Sequence, residues 1–480
     1  MADNDFKGRA SLRDRFDFAL SSTQPEQREL EQGDFSAHSK SYSLESPISP
    51  PPVREPIAAI TTILTELSIK TDRDQHEKAE MSHPEKMTPI QELFFYTVEA
   101  AYAARATDIH LDVVDGAFRI RFRIDRSLIV FYEGIALPVY EHLLPYINSL
   151  STNDLSDEKR TEDNSVMYYL RDRKIRLRLN RITTASGEKL ALRLLDGNME
   201  LNSLSTLGIS RQNLERIYRL ADSGHGAVII AGPVNSGKTT TLYALMQEKV
   251  GPDKNIISIE DPIEYKLNGV GQVKVTAAHH WEETLRASLR QDTDLLVLGE
   301  IRDGRVAELL MTGAMEGHLV FSTLHTATAA ETVLRLMDMG VKKYLIAANL
   351  KGVVAQRLVR RLCPKCKERY KIGGEEIYRA GSCDYCNQTG YRGLLLLQEV
   401  LMMSETIADY IRQDEHISRQ KIEDLAVSEG MLALGEYAYH KLLEGELSLE
   451  EIAKNLDYRE IPAKINLLLA AEKEQARGQD

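Results

Sequence analysis

Cysteine and long apolar runs are both scarce in this sequence. Only four cysteines occur in 480 residues, and all four fall between positions 363 and 386. That clustering argues against a disulfide framework and favours a metal site. The longest apolar stretches, such as 393–397, are far too short to cross a bilayer. Because the N-terminus carries charges with no apolar core behind them, we expect no secretory signal and a cytoplasmic protein.

Basic residues are fewer than acidic residues. Lysine and arginine total 60 against 72 aspartates and glutamates, which gives a formal net charge of -12. An acidic chain is disfavoured as a general nucleic-acid binder, so we expect no nucleic-acid partner. The hydrophobic share of 43% is ordinary for a soluble protein. The length allows about two to four domains.

Proline is concentrated near the N-terminus, where five residues fall between Pro47 and Pro56. Residues 1–90 are otherwise polar and mixed in charge, and this composition predicts a flexible N-terminal arm. A short apolar pattern over Ile57–Ile69 permits one docking helix. An arm with no partner explains the same pattern equally well.

Apolar and charged residues alternate in three stretches of residues 91–200, at Asp108–Val113, Phe118–Asp125 and Lys174–Leu179. Alternation of this kind predicts half-exposed antiparallel strands, with one apolar face and one face lined with arginine. An alanine-rich helix precedes them, so we predict a small N-terminal α+β domain. Turn-forming residues at Leu195–Asn198 predict a linker after it.

Strands and helices alternate over residues 201–362, which predicts an α/β domain with a mostly parallel sheet. The predicted strands are 227–231, 255–259, 295–298 and 319–323, and the predicted helices are 210–222, 238–249, 281–291, 304–315 and 328–338. A cysteine module follows at 363–400. The remainder, 401–480, is predicted to be helical, and Ser448–Glu451 matches a capping box that opens one of its helices.

The stretch Gly232–Thr239 matches the phosphate-binding pattern G-x-x-x-x-G-K-[ST] at every fixed position. An apolar strand precedes it and a helix follows it, which is the context that this pattern needs. Glycines let successive N–H groups face one point, and the helix N-terminus and Lys238 add positive charge there. Thr239 is placed to bind Mg²⁺ through its hydroxyl. We therefore predict a nucleoside triphosphate site formed by Gly232, Pro233, Val234, Asn235, Ser236, Gly237, Lys238, Thr239 and Thr240.

Three further polar clusters lie near strand ends, where α/β folds place residues that contact ligands. Ser258–Tyr265 is rich in carboxylates. Asp292–Glu300 is an apolar strand that ends in a carboxylate. Gly317–Thr326 is a strand flanked by two histidines.

The order of these motifs resembles that of the ATPases of type II secretion and type IV pilus assembly. The similarity rests on GPVNSGKTTTLY, IEDPIEY, LRASLRQDTDLLVLGEIRD and GHLVFSTLHT, with ATDIH, RFRID and SGEK before them and QRLVRRLC after them. It spans roughly residues 90–460. The resemblance implies a RecA-like P-loop core behind an N-terminal α+β domain of PAS-like form, in a ring of six subunits.

The resemblance also assigns roles to carboxylates and histidines. Glu300 corresponds to the catalytic glutamate, which orients the attacking water. Glu264 corresponds to a second essential carboxylate, with Glu260 and Asp261 as close alternatives. His318 and His325 correspond to a histidine box, in which one histidine senses the γ-phosphate or links the sheet to the neighbouring domain. We expect His325 to serve catalysis and His318 to contact the nucleotide.

Arginines supply the positive charge that phosphoryl transfer needs, and one added guanidinium is worth about 10³–10⁵ in rate. By resemblance, Arg178 and Arg193 of the N-terminal domain face the nucleotide when the domains close. Arg286 and Arg290 are predicted on one helix face, four positions apart, and by resemblance they also point into the site.

The four cysteines form two C-x-x-C pairs, Cys363 with Cys366 and Cys383 with Cys386, separated by sixteen residues. This spacing falls within the range of known zinc sites, and four thiolates suit tetrahedral Zn²⁺. The module resembles the structural tetracysteine element of assembly-type motors, which retraction-type motors usually lack.

These features predict a cytoplasmic, Mg²⁺-dependent ATPase that uses ATP, carries Zn²⁺ and lies peripherally at the inner membrane. The predicted partners are five further copies of the chain in a homohexamer, a polytopic inner-membrane platform protein and, indirectly, pilin or pseudopilin subunits. Two alternatives remain open. One is a related motor for retraction, DNA uptake or conjugative secretion, and the other is a scaffold that binds nucleotide without hydrolysing it.

Overall fold

The computed structural model describes residues 87–150, 164–171, 173–196, 203–275 and 280–477. The predicted N-terminal arm as far as residue 86, with the helix at Ile57–Ile69, lies outside the described residues. The same is true of residues 197 and 198 of the predicted linker. The chain divides into two compact units, and the main division falls between Asn198 and Met199.

Within its described residues, the first unit contains two helices and six strands. They are α1 (Pro89–Ala103), β1 (Ala106–Val114), β2 (Ala117–Ile124), β3 (Ser127–Ala136), α2 (Leu137–Leu150), β4 (Asn164–Leu170), β5 (Arg173–Thr184) and β6 (Gly187–Asp196). The strands form one antiparallel sheet in the order β3-β2-β1-β6-β5-β4.

Alternation along β2 shows how this sheet is built. Phe118, Ile120 and Phe122 are buried on one face, where they join side chains of α1 and α2 in one apolar cluster. The arginines between them lie on the other face, so the predicted α+β arrangement is confirmed. A capping box fixes the start of α1: the Thr88 N–H donates to the Gln91 side chain, and the Gln91 N–H donates to the Thr88 hydroxyl. Pro89 is the first residue of the helix, a position that suits proline.

The second unit contains a seven-stranded sheet and a separate hairpin. The sheet strands are β7 (Gly226–Ala231), β8 (Ile256–Glu260), β9 (Gly271–Lys274), β10 (Leu295–Leu298), β11 (Leu319–Leu324), β12 (Leu350–Leu362) and β15 (Tyr391–Met402), and the hairpin is β13 (Glu368–Ile372) with β14 (Glu375–Arg379). The sheet order is β15-β12-β7-β11-β10-β8-β9. All neighbours are parallel except β12 and β15, which are antiparallel.

Helices cover both faces of this sheet. They are α3 (Arg211–Ala221), α4 (Lys238–Lys249), α5 (Trp281–Ser288), α6 (Gly304–Met315), α7 (Ala329–Asp338) and α8 (Lys343–Asn349). Every residue of β7 is buried, and its successive side chains enter two different apolar clusters on opposite faces. The predicted α/β class with a mostly parallel sheet is confirmed.

One predicted helix is shorter than expected. The pattern predicted a helix over 281–291, but α5 ends at Ser288. The Ser288 carbonyl accepts from the Thr293 hydroxyl at 2.8 Å and from the Gln291 N–H at 3.1 Å, which closes the helix with a tight turn. Arg290 therefore lies in this turn and not on the helix face that carries Arg286.

The C-terminal region is helical, as predicted, with α9 (Glu405–Gln413), α10 (Arg419–Ser428), α11 (Leu434–Leu443), α12 (Leu449–Asn455) and α13 (Ala463–Arg477). Ser448 caps α12 as the capping box requires, accepting from the Glu451 N–H at 3.2 Å. The Glu451 carboxylate, however, binds Arg360 of β12, with a shortest distance of 2.6 Å. None of the described helices combines the length and the apolar character that a membrane span requires.

Candidate nucleotide-binding site

The phosphate loop connects the C-terminal end of β7 to the first turn of α4. Gly232, Asn235 and Gly237 all have positive φ angles, of 152°, 63° and 87°. A side chain at Gly232 would place its Cβ 2.5 Å from the Gln356 carbonyl oxygen, so only glycine fits there. No side chain caps α4, which leaves its first N–H groups available to an anion. Pro233, Val234, Asn235, Thr239 and Thr240 are exposed around this loop.

Lys238 is the buried cation of the loop. Its Nζ donates to the carbonyl oxygens of Gly232 and Pro233 at 2.7 and 2.9 Å. Burial lowers the pKa of Lys238 to about 8, although the nearby Glu300 carboxylate opposes that shift. An anionic phosphate at this point would favour the charged ammonium and reverse the effect of burial.

His325 joins the loop to the carboxylate that follows β10. Its Nδ1 lies 3.3 Å from Lys238 Nζ, and its Nε2 lies 3.4 Å from a Glu300 carboxylate oxygen. Because an ammonium group can only donate, Nδ1 must accept, and the proton of the neutral ring then lies on Nε2 facing Glu300. The strands β7, β10 and β11 are parallel, so their C-terminal ends meet at one sheet edge and bring the three side chains together.

Arg302 is a site residue that the sequence did not single out. Its guanidinium binds the Glu300 carboxylate, lies 3.2 Å from Asp261 and is 5.0 Å from the centre of the Trp281 ring. Arg302 therefore holds one oxygen of the Glu300 carboxylate, and His325 faces the other. The signal was its position two residues after Glu300, on the same strand end.

The acidic motif after β8 divides into carboxylates with different surroundings. Glu260 is buried and accepts from the Tyr243 hydroxyl, from Ser258 at 2.7 Å and from Gln272 at 3.1 Å. These bonds hold the Glu260 side chain within the protein interior. The Asp261 carboxylate is held by Arg302. The backbone N–H of Glu264 donates to the Tyr243 hydroxyl at 3.2 Å, which places Glu264 in the loop beyond β8.

A buried glutamine on β12 supports the loop from below. Gln356 is fully buried, and its Nε2 donates to the Ser236 carbonyl at 2.8 Å. Its Oε1 accepts from the Thr241 hydroxyl at 3.0 Å and from Gln398 of β15 at 3.2 Å. Sequence analysis assigned no role to this residue, because the β12–β7 pairing that brings it under the loop is not a local pattern.

The structure does not bring His318 to the phosphate loop. It precedes β11, its carbonyl accepts from the Gly226 N–H at the start of β7, and its Nδ1 lies 2.9 Å from the Thr293 carbonyl. The loop begins at the other end of β7, and six strand residues span about 20 Å. The expected contact between His318 and a nucleotide bound by the same chain is therefore corrected.

The four predicted arginines lie in two places. Arg178 and Arg193 are directly opposite each other on β5 and β6, and Arg193 donates to Asp108 of β1 at 3.2 Å. Arg286 pairs with Glu282 on the exposed side of α5 at 2.9 Å, and Arg290 is exposed in the turn after it. A nucleotide contact for any of the four stays a prediction.

The four cysteines meet at the end of β12. Their sulfur atoms all lie within 4.8 Å of one another, and those of Cys383 and Cys386 are 3.6 Å apart. None of the four forms a disulfide. Four sulfurs at the Zn–S distance of about 2.3 Å in a tetrahedron are about 3.8 Å apart, so the donor set and its spacing suit zinc.

The sequence matches a known family over most of its length. The family model described as type II/IV secretion system protein matches residues 83–454. The chain belongs to this family. The resemblance inferred from the motifs is thereby confirmed.

Curated relatives of this chain include proteins of type II secretion and of type IV pilus assembly. Type II secretion system ATPase E of Vibrio cholerae serotype O1 is 33% identical over 405 residues, which are 81% of this chain and 79% of that protein. Type IV pilus assembly ATPase TfpB of Acinetobacter baylyi is 34% identical over 383 residues, 76% of this chain and 65% of that protein.

Two solved structures, one of a pilus retraction motor and one of another ATPase, share the fold. The pilus retraction motor PilT with bound ADP matches with a TM-score of 0.55 and 26% identity, over 76% of this chain and 98% of that one. The ATPase DotB of Legionella pneumophila matches with a TM-score of 0.60 and 20% identity, over 78% and 97%. The DotB similarity shows the fold alone.

Proposed function

We propose that this chain is the Mg²⁺-dependent ATPase of a hexameric motor that assembles type IV pili or type II secretion pseudopili. The observation that carries the proposal is the sequence of contacts from Lys238 through His325 to Glu300, beside a phosphate loop whose N–H groups are open. Membership of the secretion family supports the same conclusion.

Each residue has a distinct task in this proposal. Lys238 and the loop N–H groups bind the β- and γ-phosphates, and the Thr239 hydroxyl binds Mg²⁺, which draws charge from the phosphates. Glu300 orients the attacking water towards the γ-phosphorus. His325 bridges Lys238 and the Glu300 carboxylate and sets the distance between them. Its contact with Lys238 therefore changes when Lys238 bonds a phosphate in place of the loop carbonyls.

Other charged side chains complete the site. We assign Glu264 to support of the metal shell by the family resemblance, in which it corresponds to the second essential carboxylate. The pair Arg178 and Arg193 supplies positive charge to the transition state when the N-terminal unit closes on the nucleotide. Arg286 and Arg290 are assigned to the same nucleotide surroundings by the family resemblance.

The cysteine cluster and the membrane belong to the same proposal. Zinc on four thiolates stiffens the segment between β12 and β15, and by resemblance this module distinguishes assembly motors from retraction motors. The motor acts in the cytoplasm, peripherally at the inner membrane, on a polytopic platform protein. Closure of the two units on ATP moves the platform, which passes pilin or pseudopilin subunits into a filament.

Steady-state phosphate release tests the enzymatic part. We expect Glu300→Gln to lower turnover at least about 100-fold, because it removes the group that orients water, while binding of a fluorescent ATP analogue stays near that of the wild type. Glu316→Gln changes an exposed acid at the opposite sheet edge and is the matched control. Equal phosphate release by the wild type and Glu300→Gln would leave only a nucleotide-binding scaffold.

Affinity capture from membranes tests the motor part. The wild-type chain with ATP should recover a polytopic membrane protein, and Lys238→Ala should recover less of it because that variant lacks the cation of the phosphate loop. Recovery of nucleic acid in place of a membrane protein would favour the DNA-handling alternative.

A further inference from the structure

One buried carboxylate outside the phosphate site connects two helices. Glu399 of β15 is 3% exposed. One of its oxygens accepts from the Ala329 N–H at 2.7 Å, and the other accepts from the Leu434 N–H at 2.8 Å. Ala329 and Leu434 are the first residues of α7 and α11, so a single side chain caps both helices.

The two helix ends need this carboxylate for different reasons. The N-cap of α11 is Ala433, which has no side-chain oxygen to offer, and alanine is a poor N-cap. Thr328 caps α7 at the Glu331 N–H, which leaves the Ala329 N–H to another acceptor. Both N-termini carry partial positive charge, so they suit a carboxylate better than a neutral acceptor.

The first turn of α7 controls where the His325 loop lies. Only three residues separate His325 from Ala329. The Thr326 hydroxyl contacts that of Thr332 at 2.6 Å, and the Ala327 N–H donates to Glu331 at 2.8 Å. These bonds fasten the loop to its own helix, so a shift of the α7 N-terminus would carry His325 with it.

We propose that Glu399 is a positioning residue for nucleotide hydrolysis. By holding the first turn of α7, Glu399 fixes the position of His325 between Lys238 and Glu300. By holding the first turn of α11 as well, it couples the position of His325 to the C-terminal helices. The catalytic part of this inference rests on the proposed ATPase function. The structural part, that Glu399 holds the first turns of α7 and α11, does not rest on that function, because hydrogen exchange measures it without turnover.

The neighbouring residue on β15 supports this assignment. Gln398 donates to Gln356, which supports the phosphate loop, whereas Glu399 points to the helix that follows the histidine loop. Successive residues of one strand thus reach two elements of the nucleotide site from opposite faces of the sheet. Because Gln356 holds the phosphate loop separately, loss of Glu399 should affect turnover more than nucleotide affinity.

Two substitutions separate the capping role from the buried charge. Glu399→Met is of similar length and removes both acceptors, whereas Glu399→Gln removes the charge and retains one acceptor oxygen. Ser448→Ala is the matched control, because it removes the cap of α12 in the same C-terminal region, away from α7. If Glu399→Met does not fold, Glu399→Gln carries the same test with one cap lost.

Hydrogen exchange is the first measurement. We expect the amides at the start of α7 and of α11 to exchange about tenfold faster in Glu399→Met, and Glu399→Gln to retain protection at one of the two ends. Ser448→Ala should affect the start of α12 and the contact of its hydroxyl with Tyr391, and should leave the starts of α7 and α11 protected. Wild-type protection at the start of α7 in both Glu399 variants would overturn the proposal.

Turnover is the second measurement. Glu399→Met should lower kcat about tenfold with the dissociation constant of an ATP analogue changed less than about twofold, and Glu399→Gln should recover part of the loss. In a His325→Ala background, Glu399→Met should cause no further loss of kcat. An equal loss in both backgrounds would overturn positioning through His325. An inactive wild type would contradict the proposed function alone, and hydrogen exchange would still decide the role of Glu399.

Discussion

The glutamine beneath the phosphate loop provides a sharp test of the site. Gln356→Met keeps the length and apolar volume of the side chain but removes its amide. Three buried partners then lose a bond, namely the Ser236 carbonyl, the Thr241 hydroxyl and the Gln398 amide. The Ser236 carbonyl belongs to the loop itself, so the substitution should affect both stability and nucleotide binding.

The size of the effect follows from those three bonds. Each buried polar group left without a partner costs about 1–3 kcal/mol. The Thr241 hydroxyl can turn to a carbonyl of its own helix, which recovers part of the loss. We therefore expect the free energy of unfolding to fall by about 2–4 kcal/mol. A loop that is less well fixed should raise the dissociation constant of an ATP analogue about tenfold, or about 1.4 kcal/mol.

The neighbouring glutamine is a matched control. Gln398→Met also removes a buried amide, but only its donor bond to Gln356 is lost, because its own Oε1 has no partner among the described residues. We expect a cost of about 1 kcal/mol and nearly unchanged affinity. Denaturant unfolding and fluorescence titration measure both quantities. Wild-type affinity in Gln356→Met, or an equal loss of affinity in the two variants, would refute the support role.

Three further predictions concern the metal, the pH and the loop. Cys383→Ser should lower bound zinc, measured by elemental analysis, to well below one ion per chain, and full retention would contradict the four-thiolate site. Burial raises the pKa of Glu399 to about 7, so the folded chain binds a proton that the unfolded chain releases at lower pH. The free energy of unfolding should therefore fall by about 3 kcal/mol between pH 4.5 and 7, and an unchanged slope in Glu399→Gln would disprove this origin. Gly232→Ala should abolish nucleotide binding because its Cβ meets the Gln356 carbonyl, whereas Gly317→Ala, with positive φ but open space, should bind normally.

The parallel part of the fold was predictable because its strands are short, continuous apolar runs. The predicted bounds of β7, β8, β10 and β11 agree with the structure within one residue at each end. The β12–β15 pair was not predicted, because its two strands lie on either side of the cysteine module and their pairing is non-local. The sequence indicated Leu394–Leu397 only as an apolar run, although these residues form the middle of β15.

The site was predictable where motifs end parallel strands. Lys238, His325 and Glu300 were expected together from sequence, and parallel pairing brings them to one edge. Arg302 was missed because its position two residues after Glu300 does not reveal the second carboxylate that it binds, Asp261. His318 was assigned to the nucleotide by its correspondence to the histidine box, although it precedes β11 and so lies at the opposite end of that parallel strand from His325.

The position of β12 limits how this protein can be divided. The strand that leads into the phosphate loop, β7, has β11 on one side and β12 on the other. A fragment that stopped before Leu350 would leave β7 with an unpaired hydrogen-bonding edge, and exposed edges of apolar strands recruit other chains. Expression of residues 203–349 alone should therefore give aggregates, and a shortened ATPase core must extend at least to the end of β15.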